Sequence, residues 1–273
     1  MRPDILSTIL AHKQKEVERA KEKTPLSCLE AQAALLPPPR DFKNRLQGDQ
    51  VALIAEVKFR SPSRGVIRED LSLAEVVHAY REAGAEAVSI LTDRRFFGGA
   101  EGYLAAARHL TDQPLLRKDF IIDPYQIYQS RCLGADAVLL IARILPPETL
   151  KGFIALADEL GLAALVECRT KEEAAAALES GARIIGINNR DLATFATNLQ
   201  ATLDLAPQLK DWGAVVVSES GIWERRHVIR LRDHGVDAVL VGEALMASPD
   251  LKLKALSLRG VPAQRKAVAG GDG

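Results

Sequence analysis

From Val51 onward the chain alternates between two rhythms of hydrophobic positions. Short apolar runs rich in β-branched residues, "VALIAEVK", "AEAVSILT", "QPLLRKDF", "ADAVLLIA", "AALVEC", "RIIGINN", "AVVVSES" and "DAVLVGE", read as eight strands. Between them lie amphipathic stretches such as "LSLAEVVHAYREAGAE", "PPETLKGFIALADELG", "TKEEAAAALESGA" and "IWERRHVIRLRDHGV", several closed by a glycine suited to end a helix. Nearly continuous apolar strands separated by single helices predict a parallel sheet covered by helices on its outer face. Eight such units in about 200 residues predict an α/β fold of the (β/α)8, or TIM-barrel, type. An open doubly wound sheet would need helices on two faces and usually a glycine-rich turn after its first strand, and neither GxGxxG nor GxxxxGK(S/T) occurs.

Ahead of the barrel, Ile5, Leu6, Ile9, Leu10 and Val17 give one apolar side to a helix capped by Asp4 and running to about Lys23. A shorter helix is expected over residues 27–36, stopped by the three prolines that follow. The resulting organisation is an N-terminal helical extension over 1–48 packed on the barrel, a barrel over 49–262, and a disordered tail over 263–273.

Composition narrows the function. With 273 residues, 47% of them hydrophobic, the chain can build a sizeable core. Lysine plus arginine and aspartate plus glutamate both total 36, so no overall basic field argues for nucleic acid or a membrane surface, and a charged ligand must be held locally. Cys28, Cys132 and Cys168 are odd in number and lack metal-type spacing, which predicts free thiols in a reducing compartment. The N-terminus is too charged for a secretory segment, and no apolar run approaches the ~20 residues of a membrane span. A cytoplasmic protein is expected, and because the polar outer helices show no dimer stripe, a monomer.

Strand alternation then brings chemistry into view. Ile54, Glu56 and Lys58 share one face of the first strand while Leu53, Ala55 and Val57 share the other, so both charges point into the barrel mouth. Lys118, Glu167, Asn188 and Glu219 end other strands in the same way. A single charge at a strand end is ordinarily a solvated boundary residue. Two lysines and three glutamates at one end of a barrel are different, because burying them costs several kcal/mol unless they pair or serve a ligand. They mark either a site or a mutual salt-bridge network, at the face where barrel enzymes build their active sites. "SESGI" and "VGEAL", after the seventh and eighth strands, put Gly221 and Gly242 in turns whose backbone N–H groups can hold a phosphate. Glu243 would repel that phosphate unless its carboxylate turns away to cap the helix.

Taken together, "IAEVKFRSPSRG", "SILTD" followed by "FFGG", "LLRKDFIIDPYQIYQSRCLGADAVLLI", "LVEC", "GINNRDL", "SESGI" and "VGEALM" resemble the indole-3-glycerol phosphate synthase family of the tryptophan pathway. The likeness includes the N-terminal "ILAHKQKEV" and "PPPRDF" and covers nearly the whole chain. It implies closure of 1-(2-carboxyphenylamino)-1-deoxyribulose 5-phosphate to indole-3-glycerol phosphate, with release of carbon dioxide and water and with no metal or organic cofactor. By the same resemblance Lys118 is the general acid of ring closure, Glu167 takes part in proton transfer during dehydration, and Glu219 stabilises cationic intermediates. Lys58 pairs with the anthranilate carboxylate, Glu56 holds a lysine in place, and Asn188 and Arg190 orient the substrate. Ser61 and Pro62 line the loop after the first strand; Phe97, Phe120, Leu139 and Leu192 wall the anthranilate ring; Ser220, Gly221, Gly242 and Glu243 match the phosphate site, Glu243 through its backbone N–H. The resemblance also places the N-terminal extension over the mouth. Which of Lys58 and Lys118 gives the second proton stays open.

Other residues read as packing. Alternation points Cys168 away from the mouth, and His12, His78, His109, His227 and His234 fall in helical segments. Trp212 and Trp223 read as surface or packing aromatics near helix ends. Two competitors remain: a phosphoribosylanthranilate isomerase-like barrel, which would use a cysteine and an aspartate that "EVK" and "INN" do not offer, and a catalytically silent barrel kept as an interaction module, which would be expected to have lost Lys58, Lys118 or Glu167.

Overall fold

The computed structural model describes residues 5–191 and 195–264. Among them, eight parallel strands close into a barrel: β1 (Ala52–Val57), β2 (Ala87–Leu91), β3 (Leu115–Lys118), β4 (Ala137–Ile141), β5 (Ala163–Cys168), β6 (Ile184–Asn188), β7 (Val215–Glu219) and β8 (Ala238–Val241). Each strand pairs with its neighbours in chain order, and β8 returns to β1 with Ala52 opposite Ala238 and Ala55 opposite Val241. All eight apolar runs are therefore strands of one sheet.

Both faces of that sheet are apolar because both are covered. Leu53, Val57, Val88, Leu140, Val166, Val216 and Val239 pack outward against the helices. Ile54, Leu116, Leu139, Leu165, Ile184, Val217 and Leu240 fill the interior, where Phe42 and Leu46 join them. Burying one such side chain is worth about 1.5–3 kcal/mol, so the filled interior is a major source of stability and a rigid base for whatever stands above it.

Helix ends follow their local chemistry. Ser72 and Glu75 form a reciprocal capping box at helix Leu73–Glu82, and Asp123 and Gln126 do the same at helix Pro124–Cys132. Gly84, Gly161, Gly181 and Gly235, which close helices in the sequence reading, all have positive φ. His234 lies just beyond helix Arg225–Arg232 rather than within it, its Nδ1 2.9 Å from the Arg230 carbonyl.

The first two helices are α1 (Ile5–Lys23) and α2 (Leu26–Leu35). The expected Asp4 cap falls outside the described residues, as does the tail from residue 265. Lys13 on α1 is 5% exposed. Its Nζ meets Asp119 at 2.9 Å, Asp93 at 3.2 Å and Glu16 at 2.7 Å. Tyr125 adds hydroxyl hydrogen bonds of 3.0 Å to the carbonyls of Ala20 and Thr24. No helix among the described residues is long and apolar enough to cross a membrane.

Candidate active site

The charges at the strand ends converge. Lys118 Nζ donates to Glu167 Oε2 at 2.9 Å and to Glu219 Oε2 at 2.8 Å, and Lys58 Nζ lies 2.7 Å from Glu56 Oε1. The cause is the period of the strands. Ile54 precedes Glu56, Leu116 precedes Lys118, Leu165 precedes Glu167 and Val217 precedes Glu219, each by two positions on the inward face. An apolar interior thus ends in a charged layer.

Two glycines make room for that layer. A Cβ added at Gly186 on β6 would overlap Glu219 Oε1, and one added at Gly242 would overlap Glu56 Oε1. Gly186 opens "GINNRDL", but no local feature of the sequence gives it a role of its own. Gly242, read as a phosphate-turn glycine, has this second duty as well.

Burial and pairing set the protonation states. Burial alone would lower the Lys118 ammonium, but Glu167, Glu219 and Glu56 outweigh it and hold the group above its ordinary value. Burial would raise Glu167, yet Lys118 and a hydrogen bond from Asn188 bring its carboxyl below the usual range. Glu219 goes the other way. Burial lifts it, Lys118 offsets only part of that, and repulsion from Glu167 and Glu56 adds to the rise, which reaches about 7. Its Oε1 is buried with no hydrogen-bond partner among the described residues. Two carboxylates sharing one lysine are thereby driven apart in acidity, the arrangement expected where one must accept or hold a proton while the other stays ionised.

The far end of the mouth is built from turns. Ser220 has φ 67° and Gly221 φ 76°, so the chain leaving β7 runs through two left-handed residues. Asn189 secures that turn. Its Nδ2 lies 2.9 Å from the Glu219 carbonyl, 3.1 Å from that of Ser220 and 3.0 Å from Ser218 Oγ, and its Oδ1 accepts from Thr202 Oγ1 at 2.8 Å. Sequence reasoning passed over Asn189 in favour of its neighbours; the available signal was an amide on the outward face of an apolar strand end. Glu243 corrects an expectation. Its carboxylate does not cap the following helix but pairs with Arg64 at 2.6 Å and Arg190 at 2.7 Å.

One cavity gathers almost all the residues read from the sequence. Glu56, Lys58, Ser61, Pro62, Phe97, Lys118, Phe120, Leu139, Glu167, Asn188, Arg190, Glu219, Ser220, Gly221, Gly242 and Glu243 line it; Leu192 falls outside the described residues. Phe97 and Phe120 face each other with ring centroids 6.0 Å apart, forming one apolar wall. Ile5, Leu6 and Ile9 of α1 line the same cavity, so the first helix forms part of its wall. Trp223, read as a packing aromatic, also lines it and lies 5.5 Å beneath the Arg64 guanidinium. Cys168 points into the outer core, where burial pushes its thiol well above the ordinary value.

The sequence model of the indole-3-glycerol phosphate synthase family matches residues 6–258. Indole-3-glycerol phosphate synthase of Roseiflexus castenholzii is 50% identical over 264 residues, covering 94% of this chain and 98% of that one. The enzyme of Dehalococcoides mccartyi is 47% identical, with 92% and 98% covered. Among solved structures, 3-hexulose-6-phosphate synthase superposes with a TM-score of 0.63 at 14% identity, covering 76% of this chain and 98% of that one, a likeness of fold alone.

Proposed function

The chain belongs to the indole-3-glycerol phosphate synthase family, and from that premise we propose how its barrel mouth divides the work of the family's reaction. The protein is a carboxy-lyase of tryptophan biosynthesis that converts 1-(2-carboxyphenylamino)-1-deoxyribulose 5-phosphate to indole-3-glycerol phosphate. The observation that carries the division of labour is Lys118, held between Glu167 and Glu219 at the end of β3.

In the first step the ring carbon bearing the carboxylate attacks the ketone carbon, and the carbonyl π pair moves to oxygen. Lys118 donates a proton to that oxygen, a role suited to an ammonium kept charged by three carboxylates. Lys58 pairs with the anthranilate carboxylate until the carbon–carbon bond breaks, when carbon dioxide leaves and its electron pair restores the aromatic ring. Glu56, 2.7 Å from Lys58, keeps the ammonium in register. In the last step a lysine of the mouth, Lys58 or Lys118, protonates the new hydroxyl, which departs as water, and Glu167 takes the proton from the carbon beside the nitrogen. Glu219 faces the cation formed on the way, with a buried oxygen that has no partner among the described residues.

Asn188 and Arg190 orient the substrate, and Ser61 and Pro62 close over it from the loop after β1. Phe97, Phe120 and Leu139 hold the anthranilate ring. The phosphate binds at the opposite end against Ser220, Gly221, Gly242 and the backbone of Glu243; the consecutive left-handed turn at Ser220 and Gly221 supports this. An isomerase-like chemistry has less support, since Cys168 points away from the mouth and Asp119 is engaged by Lys13. The enzyme acts as a monomer in the cytoplasm, which sedimentation at micromolar concentration tests for the first part.

A product balance tests the division of roles. Glu167→Gln should release carbon dioxide faster than it forms the indole chromophore, because closure precedes the step that the glutamate serves. Loss of both products in equal measure would place Glu167 in ring closure instead.

A further inference from the structure

Glu243 stands where a carboxylate is hardest to explain, directly after Gly242 and on the wall that carries Ser220 and Gly221. Its two oxygens are divided between two loops. Oε1 receives Arg64 Nε at 2.6 Å and Oε2 receives Arg190 Nη2 at 2.7 Å. Arg64 sits in the turn between the short paired segments Arg60–Ser61 and Gly65–Val66 after β1, and Arg190 follows β6. The Arg64 side chain is 56% exposed and rests over the Trp223 ring, whereas Glu243 is 9% exposed. One buried carboxylate therefore tethers an outer loop to an inner one across the end of the mouth.

A phosphate dianion arriving beside Glu243 meets this arrangement in two ways. Its charge repels the carboxylate, and its oxygens seek the same guanidinium donors, whose planar forks suit phosphate as well as carboxylate. We propose that Glu243 is the resident counter-anion of the phosphate end, holding Arg64 and Arg190 until the substrate's phosphate takes over their guanidinium groups, and so setting how strongly the mouth binds a phosphorylated ligand. This rests on the reading of Ser220, Gly221 and Gly242 as the phosphate end. The carboxylate keeps the loops ordered, and the same charge weakens the site for its ligand.

The test is inhibition of turnover by inorganic phosphate, compared among wild type, Glu243→Gln and Arg64→Gln. With the competing charge removed and the side chain's size kept, Glu243→Gln should bind phosphate at least fivefold more tightly. Arg64→Gln, having lost a donor that is handed over, should bind it at least fivefold more weakly. Unchanged or weaker phosphate binding by Glu243→Gln overturns the proposal, because the carboxylate would then be organising the site rather than competing in it. Should that variant fail to fold, Arg64→Gln decides, since its side chain is half exposed on a surface turn: an unchanged inhibition constant overturns the handover. If wild type turns over its substrate but phosphate does not compete, the phosphate end is misplaced and the proposal falls with it. A wild type without turnover strikes the catalytic reading instead, and direct phosphate binding measured on the same three proteins still judges the proposal.

Discussion

Lys118 Nζ lies 2.8 Å from Glu219 Oε2, while the other oxygen of that carboxylate is buried with no hydrogen-bond partner among the described residues. One oxygen of Glu219 thus fixes the lysine, and the other lies buried beside Gly186. Such a group costs several kcal/mol to hold away from water unless a ligand meets it, and it is worth most when positive charge develops nearby. The relationship makes Glu219 the most pH-sensitive point of the site.

The folded protein raises Glu219 from an ordinary value of 4.5 to about 7. Its protonated form is favoured by folding, so that stabilising contribution is fully present below about 4.5 and is lost as pH rises through about 7. Since catalysis needs the ionised form, kcat/KM should climb through an acid limb near 7 that belongs to the Glu167–Glu219 pair. Glu219→Gln should lose the limb and about a hundredfold in kcat, and its Tm should gain on wild type between pH 5 and 8. An identical limb in the variant would contradict the assignment.

Gly186 is tested by adding one methyl group. Gly186→Ala drives a Cβ into Glu219 Oε1. The substitution should lower stability by about 1–3 kcal/mol through overpacking, and kcat should fall more than tenfold in protein that remains folded at the assay temperature. Wild-type kcat in a folded variant would show that the close approach has no bearing on Glu219.

Lys13 links the first helix to the barrel. Burial works against its charge, but Asp119 and Asp93 outweigh that and raise its pKa above the ordinary value. Lys13→Met should strip the buried Asp93 of its ion pair and leave Asp119 to Arg117, 3.1 Å away, and cost about 3–5 kcal/mol of unfolding free energy. Loosening α1 should also raise KM, because Ile5, Leu6 and Ile9 line the cavity. Denaturant unfolding and steady-state kinetics check the two parts, and an unchanged KM in a destabilised protein would separate the helix from the site.

The strands were legible because each is apolar on both faces, and Glu56, Lys118, Glu167 and Glu219 were legible because a period of two carries the inward face into the mouth. Gly186 was not legible, since what it accommodates comes from the neighbouring strand. Lys13 read as one charge among many on a polar helix, and only the packing of α1 on the barrel brings it to Asp93 and Asp119. Glu243 was recognised as awkward, but its partners lie 179 and 53 residues away in the chain and no local rule names them. Trp223 was assigned to packing for the same reason. Period and composition report what one element does, whereas these four residues depend on which elements meet.

The most direct measurement follows indole fluorescence as purified protein meets 1-(2-carboxyphenylamino)-1-deoxyribulose 5-phosphate, with Lys118→Ala run beside wild type at saturating substrate. The account predicts steady product from wild type and a kcat lower by at least 10²- to 10⁴-fold in the variant, the range of one positioned proton donor, with substrate binding retained. A Lys118→Ala enzyme that turns over at close to the wild-type rate would contradict it.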